Sequence, residues 1–349
     1  MLDTYRVYAR DVEEQGSPLY AELCRRLARD PRRASIVLGA PRAFHTPLIL
    51  LAAVHHLLLS GTDGALGAYY GTVAGDAARP VDEQLYPAFV AFVDEHRSEI
   101  EALVASHTTQ TNEARRTVVT LPALGLVAAE SGRPLALLEV GASAGLNLLV
   151  DRYGFRIGSV SAGDPRSAVQ VDCAVEGDLQ PPVPDRLAVA WRLGLDLSPL
   201  DVRAPATGEW LRALVWPEHR DRMAVLAAAL SIARQDPPRV VSGDLTTDLP
   251  SLAEAAPTAA ALVVMSTWTL AYVDAPDRGR LVDELQQLAA ARGQDVWLVA
   301  GEGQAVMASL GLDLAEPPPA GTGGPSMLAL CRFGTDGTAN GRLLAECHA

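Results

Sequence analysis

The chain has 349 residues, 49% of them apolar and 20% charged, enough to bury a large core, which excludes both a single small domain and a largely disordered polymer. Its formal charge of −13 argues against a broad nucleic-acid-binding face, because that mode relies on clustered Lys and Arg to displace counterions from phosphates; small-molecule or protein partners are favoured instead. Four cysteines, Cys24, Cys173, Cys331 and Cys347, form no C-x-x-C pair and are too sparse for a disulfide framework, so they read as reduced, mostly buried thiols.

Residues 1–14 are charged and lack the apolar core of a signal peptide, which predicts a cytoplasmic protein. The longest apolar stretch, residues 47–60, is shorter than the roughly 20 residues that span a bilayer, so it reads as a buried helix and no membrane partner is expected. Apolar positions recur at intervals of three and four over 19–27, 48–59, 89–104 and, less cleanly because of Pro122, 118–127. No strand stands out there, and residues 1–130 read as a helical N-terminal domain. Adjacent His55 and His56 in the apolar helix point about 100° apart, which suits a satisfied core histidine better than a metal pair.

Beyond Ser131-Gly132-Arg133-Pro134 the pattern changes to short continuous apolar runs separated by polar turns and longer helical stretches, the signature of a parallel α/β sheet. Strands are predicted at 135–140, 189–195, 239–242, 261–265 and 296–300, with helices at 145–152, 218–234 and 278–292. Residues 131–349 thus form an α/β domain, with an insertion at about 153–186. The insertion holds short strands near 156–160 and 168–174 and a stiff Pro181-Pro182-Val183-Pro184 linker. The runs 326–333 and 341–347, joined by a short polar connection, predict a terminal antiparallel hairpin.

The most informative stretch is an apolar strand ending in Glu139, followed by Gly141, Ser143 and Gly145 at intervals of two and then by a helix. Small residues at such a turn let backbone amides approach a ligand, and a helix N-terminus favours negative or polar groups. The same residues also spell G-x-S-x-G, the nucleophile elbow of an esterase with Ser143 as nucleophile. That rival needs a downstream histidine, and only His219 and His348 follow. A tightly packed turn without a ligand is the third reading.

Further acids follow the strand ends. Gly194-Leu195-Asp196 places a carboxylate after the second strand, where a nucleotide site uses it on the ribose; Asp164 fits the usual spacing better but lies in a turn-like context. Asp244 follows the third strand and Ser266 the fourth, with Trp268 and Tyr272 placed to wall a substrate pocket. Glu302 follows the fifth strand and is a candidate for orienting or deprotonating a substrate. Upstream, Gln110-Thr111-Asn112-Glu113-Ala114-Arg115-Arg116 packs polar groups densely at one helix start. Asn112 and Arg116 are candidates for substrate binding there, and Glu113 or His55 for a general base.

A parallel sheet that ends in an antiparallel hairpin resembles the class I methyltransferase variant of the Rossmann architecture, whose seventh strand inserts antiparallel to its neighbours. The turns at Gly141 to Gly145, Asp196 and Asp244 resemble that group's cofactor site, with Ser143 and the long insertion as departures. The resemblance implies S-adenosylmethionine as methyl donor and a small-molecule or protein acceptor. Over most of the chain, Gln110-Thr111-Asn112-Glu113, the run from Leu138 to Leu148, Asp151-Arg152-Tyr153, Gly194-Leu195-Asp196 and Leu214-Val215-Trp216-Pro217-Glu218 resemble a bacterial family catalogued as domain of unknown function 2332. That resemblance implies a fold and no chemistry. A methyltransferase-like protein that only binds a metabolite or partner is the non-enzymatic alternative.

Overall fold

Outside the insertion, the apolar runs read as strands all pair in one sheet, and the helical periodicities of the N-terminal part form helices. These come from a computed structural model, which describes residues 1–62, 64–176, 183–312, 314–315 and 326–347. The chain divides into two compact units, Met1–Thr111 with Ala204–Ala227, and Asn112–Arg203 with Ala228–Ala349.

The first unit is helical: Leu2–Glu14, Pro18–Leu27, Pro47–Leu59, Leu85–Glu95 and Arg97–Ser106, joined by Pro205–Ala213 from later in the chain. The predicted helix over 89–104 is two helices. His96 leaves the helical region (φ −103°, ψ 24°) and ends the hydrogen-bond ladder between them. Among the described residues no helix is long and apolar enough to cross a membrane; Pro47–Leu59 is buried instead, with Ile49 to Val54 fully inaccessible. His55 lies at its buried end, 3.0 Å from the Ala213 carbonyl through Nδ1 and 2.6 Å from the Thr72 hydroxyl through Nε2. A carbonyl only accepts, so Nδ1 carries the proton and Nε2 accepts from Thr72. Burial lowers the His55 pKa to about 4, which keeps the ring neutral. The segment Trp216-Pro217-Glu218 ties the unit together: Glu218 accepts from the Ser17 hydroxyl (2.7 Å) and the Leu19 amide (2.9 Å) at the start of Pro18–Leu27, and the Pro217 carbonyl accepts from the Thr72 amide (3.0 Å).

The second unit is built on an eight-stranded sheet. Its strands are β1 (Leu135–Val140), β5 (Val189–Asp196), β6 (Val240–Ser242), β7 (Ala261–Thr267), β8 (Val296–Gly303), β9 (Leu314–Ala315), β10 (Ser326–Phe333) and β11 (Ala339–Cys347). The order is β6-β5-β1-β7-β8-β10-β11-β9, with β10 alone running against the rest. The fold is therefore α/β and mostly parallel, with the predicted C-terminal antiparallel hairpin. A two-stranded hairpin, rather than a single strand, lies between β8 and the two-residue β9.

Strand alternation sorts the side chains by face. Ala136, Leu138, Leu262, Val264, Leu298 and Ala300 pack in one core with Leu249, Leu281 and Leu285 from the helices Leu245–Glu254 and Ala275–Arg292. The opposite face lies against the helix Thr117–Ser131. The insertion forms a separate three-stranded sheet, β2 (Gly154–Ile157) between β3 (Val160–Gly163) and β4 (Gln170–Cys173). Pro181 and Pro182 of the expected linker, and His348, lie outside the described residues. None of the cysteines is in a disulfide; Cys24 and Cys331 are buried, Cys173 and Cys347 half-buried.

Candidate functional site

β5 and β7 flank β1, so the chain reverses its direction of travel across the sheet there, and the carboxyl ends of β1 and β7 border the crevice where open α/β sheets bind ligands. Two non-glycine residues among those described have positive φ, Ser143 (55°) and Trp268 (54°). They follow β1 and β7. Left-handed backbone at such residues is strained and persists only where surrounding contacts impose it.

The contacts that impose it after β1 are dense. The amides of Gly141 and Ala142 donate to the Leu195 carbonyl (2.8 and 3.2 Å), that of Ser143 to Asp196 Oδ2 (2.8 Å), and that of Leu146 to Asn112 Oδ1 (2.9 Å). Gly141, at φ +69°, has no room for a side chain: a Cβ would sit 2.1 Å from Thr269 Oγ1. At Gly145, φ +75°, it would lie 2.7 Å from Pro238 Cγ. The segment after the turn is the 3-10 helix Leu146–Arg152, not the expected α-helix. With Leu146 to Val150 all buried, no exposed side is left for a regular amphipathic helix, and Leu149 leaves the helical region. The amides of Gly141, Ala142, Ser143, Gly145 and Leu146 are thus used within the protein.

Those side chains form a connected polar group. Glu139, 1% exposed, accepts from Asn147 Nδ2 through Oε1 (2.9 Å), and the same Nδ2 lies 3.4 Å from Thr267 Oγ1. Burial raises the Glu139 pKa to about 8, against the lowering effect of Asn147 and Arg116. Asp196 is buried at the end of β5, where its oxygens accept from the amides of Ser143 and Ser198 (2.8 Å each). On the other face of the sheet Glu302 Oε1 accepts from Ser266 Oγ (2.7 Å) and from the amides of Thr269 (2.9 Å) and Leu270 (3.1 Å). It thereby holds the Trp268-Thr269 turn against Gly141. Burial raises the Glu302 pKa, opposed by these bonds and by Arg116.

Half-buried Arg116 stacks on Trp268, its guanidinium carbon 4.8 Å from the ring centroid, and feels the charges of Glu113, Glu139 and Glu302. Among the described residues Glu139 Oε2, Ser143 Oγ, Asn147 Oδ1 and Glu302 Oε2 are buried without a hydrogen-bond partner. Buried polar atoms are nearly always paired, so such a cluster points to an absent ligand or water.

The structure brings together Asn112, Arg116, Glu139, Gly141, Ser143, Gly145, Asp196, Ser266, Trp268 and Glu302. Asp244 stands apart: it is exposed and caps the helix Leu245–Glu254 by accepting from the Thr246 amide and hydroxyl (2.8 Å each). Tyr272 is 81% exposed. Glu113 caps a 3-10 turn by accepting from the Arg115 amide (3.1 Å). Asp164 lies on the insertion and accepts from the Arg166 amide, whereas Asp196 adjoins the turn. Asn147 and Thr267 were not singled out from the sequence. A polar residue within the otherwise apolar run Leu146-Asn147-Leu148-Leu149-Val150 was the available signal for Asn147.

The model of a family described as "uncharacterized protein conserved in bacteria (DUF2332)" matches residues 2–349, and the chain belongs to that family. No curated protein compared with it matches.

Proposed function

We propose that this DUF2332 chain is an S-adenosylmethionine-dependent methyltransferase acting on a small-molecule or protein acceptor. The observation that carries the reading is the meeting, at one switch point, of the Gly141-to-Gly145 turn with two buried acids: Glu139 on its own strand and Asp196 at the end of the neighbouring one. The strand order, with β10 alone reversed, supports a methyltransferase-like variant of the Rossmann sheet; the two-stranded hairpin between β8 and β9 is a departure from it.

In this reading Asp196, at the end of β5, is the acid on the side of the ribose hydroxyls. Glu139 faces the amino-acid end of the cofactor. Methyl transfer is an in-line displacement whose acceleration comes chiefly from holding nucleophile and sulfonium in near-attack geometry. Of the three candidate bases, His55 lies in the helical unit and Glu113 caps a turn, while Glu302 keeps an oxygen with no partner among the described residues, so Glu302 is the better placed to take an acceptor's proton.

Calorimetric titration with S-adenosylmethionine and S-adenosylhomocysteine tests the reading. Saturable binding is expected, weakened in Asp196→Asn; a folded protein that gives no heat with either ligand would sink it. Binding without transfer of label from the cofactor to any cell-extract component would assign the non-enzymatic role. The esterase reading has one observation in its favour, the left-handed backbone at Ser143. Ser143 is 1% exposed and its Oγ has no partner among the described residues, so a fluorophosphonate probe is expected to leave it unlabelled.

A further inference from the structure

Asn147 is the polar exception in the buried run Leu146-Asn147-Leu148-Leu149-Val150, and is itself 3% exposed. A buried amide costs free energy unless it is paired, so its partners account for its place. Its Nδ2 donates to Glu139 Oε1 (2.9 Å) and lies 3.4 Å from Thr267 Oγ1, so one side chain beyond the β1 turn spans the ends of β1 and β7. The amide has two N–H groups, one for each oxygen. Glu139 is left with Oε1 held and with Oε2 buried and without a partner among the described residues. Once one oxygen is held, the two are no longer equivalent. The carbonyl oxygen of a neutral acid accepts an N–H better than its hydroxyl oxygen does, so the proton belongs on the oxygen that Asn147 does not touch.

We propose that Asn147 is a positioning residue for Glu139: braced on Thr267, it occupies Oε1 and makes Oε2 the atom that carries the proton when the acid is neutral and lies open when it is ionised. A ligand at the end of β1 then meets an O–H donor in the first state and an acceptor in the second. Burial keeps Glu139 neutral up to about pH 8, with Asn147 and Arg116 acting against it and Asp196 adding to it. Arg116, Asp196 and the nearby Tyr153 phenol all stay in place when Asn147 is replaced, so a change in the titration of Glu139 reads Asn147. What the ligand is rests on the methyl-transfer reading. Where the proton sits rests on the hydrogen bonds.

Urea denaturation of the full-length protein from pH 5 to pH 10 compares wild type with Glu139→Gln, and Asn147→Leu with and without Glu139→Gln. Within each pair the stability difference follows Glu139 alone and levels off above its native midpoint, near pH 8 in the wild type. A hydrogen bond to a carboxylate favours ionisation by about tenfold or more, so the Asn147→Leu pair should level off about one pH unit higher. A midpoint that does not rise, with stability lowered equally at every pH, assigns Asn147 to packing and overturns the proposal. Should Asn147→Leu not fold, NMR of the Asn147 side-chain amide carries the test in proteins that keep it. Its resonances should shift with a midpoint near pH 8 in the wild type and stay still in Glu139→Gln; an amide indifferent to pH in the wild type overturns the proposal as well. Neither measurement contains a ligand. A wild type that binds no S-adenosylhomocysteine therefore removes the methyl-transfer reading and leaves the role of Asn147 to be decided by the midpoint.

Discussion

Replacing Glu139 by glutamine should change how stability depends on pH. The Glu139 pKa rises from 4.5 to about 8 on burial. With each pKa unit worth about 1.4 kcal/mol, that difference corresponds to about 5 kcal/mol between fully protonated and fully ionised limits. The sign follows from proton uptake. Between these two values the native state holds a proton that the unfolded chain releases, so the stabilisation is complete below pH 4.5 and is lost as pH rises through about 8. From pH 5 to pH 8 the wild type should lose roughly 3–4 kcal/mol through this group alone. Glu139→Gln keeps an oxygen for Asn147 and cannot ionise. Urea denaturation of both proteins at pH 5 and pH 8 measures the difference between their slopes, in which all other titrating groups cancel. Equal pH dependence, within about 1 kcal/mol, would refute the placement of a buried, desolvated carboxyl at the end of β1.

Gly141→Ala sets a Cβ 2.1 Å from Thr269 Oγ1 at a φ of +69°; overpacking and left-handed strain together should cost about 2–4 kcal/mol, read as a lowered melting temperature. Glu218→Ala removes the acceptor for Ser17 Oγ and the Leu19 amide. A loss of about 2 kcal/mol is expected, together with faster proteolysis near residue 18, and Glu218→Gln should recover part of it. His55, lowered to about 4 by burial, is neutral in the native state and takes a proton on unfolding. Its contribution is present above pH 6.5 and is lost as pH falls toward 4, so its ring resonances should stay unshifted by NMR from pH 7 to pH 5.

Much of the sheet was legible because strands buried on both faces are continuous apolar runs: 135–140 and 326–333 agree with β1 and β10 residue for residue. Strand ends were less so. β7 and β8 extend to Thr267 and Gly303, through Ser266 and Glu302, because polar residues at a sheet's carboxyl edge can pair in the ladder and still bond one another. The turn after β1 was found through its glycines, but its amides bond to Leu195, Asp196 and Asn112, residues up to 54 positions away along the chain. No local pattern reports such closure. Asp244 shows the converse: an acid after a strand looks the same in sequence whether it meets a ligand or caps the next helix, and here the Thr246 amide takes it. Arg116 stood out among the polar residues before the helix Thr117–Ser131, yet its stacking on Trp268 joins two elements that periodicity treats separately.

The return of residues 204–227 to the helical unit bears on how the protein is made. A ribosome releases the chain from its N-terminus, so the segment that caps Pro18–Leu27 and accepts from His55 emerges only after β1 to β5 have been synthesised. The first unit cannot close while it is the only part exposed. Its early helices must wait for a long-range contact that is slow to form. Chaperone dependence during synthesis is the expected cost of that order. A fragment ending near residue 111 should fail to fold on its own, whereas joining residues 204–227 to it through a short linker should restore a cooperative unit.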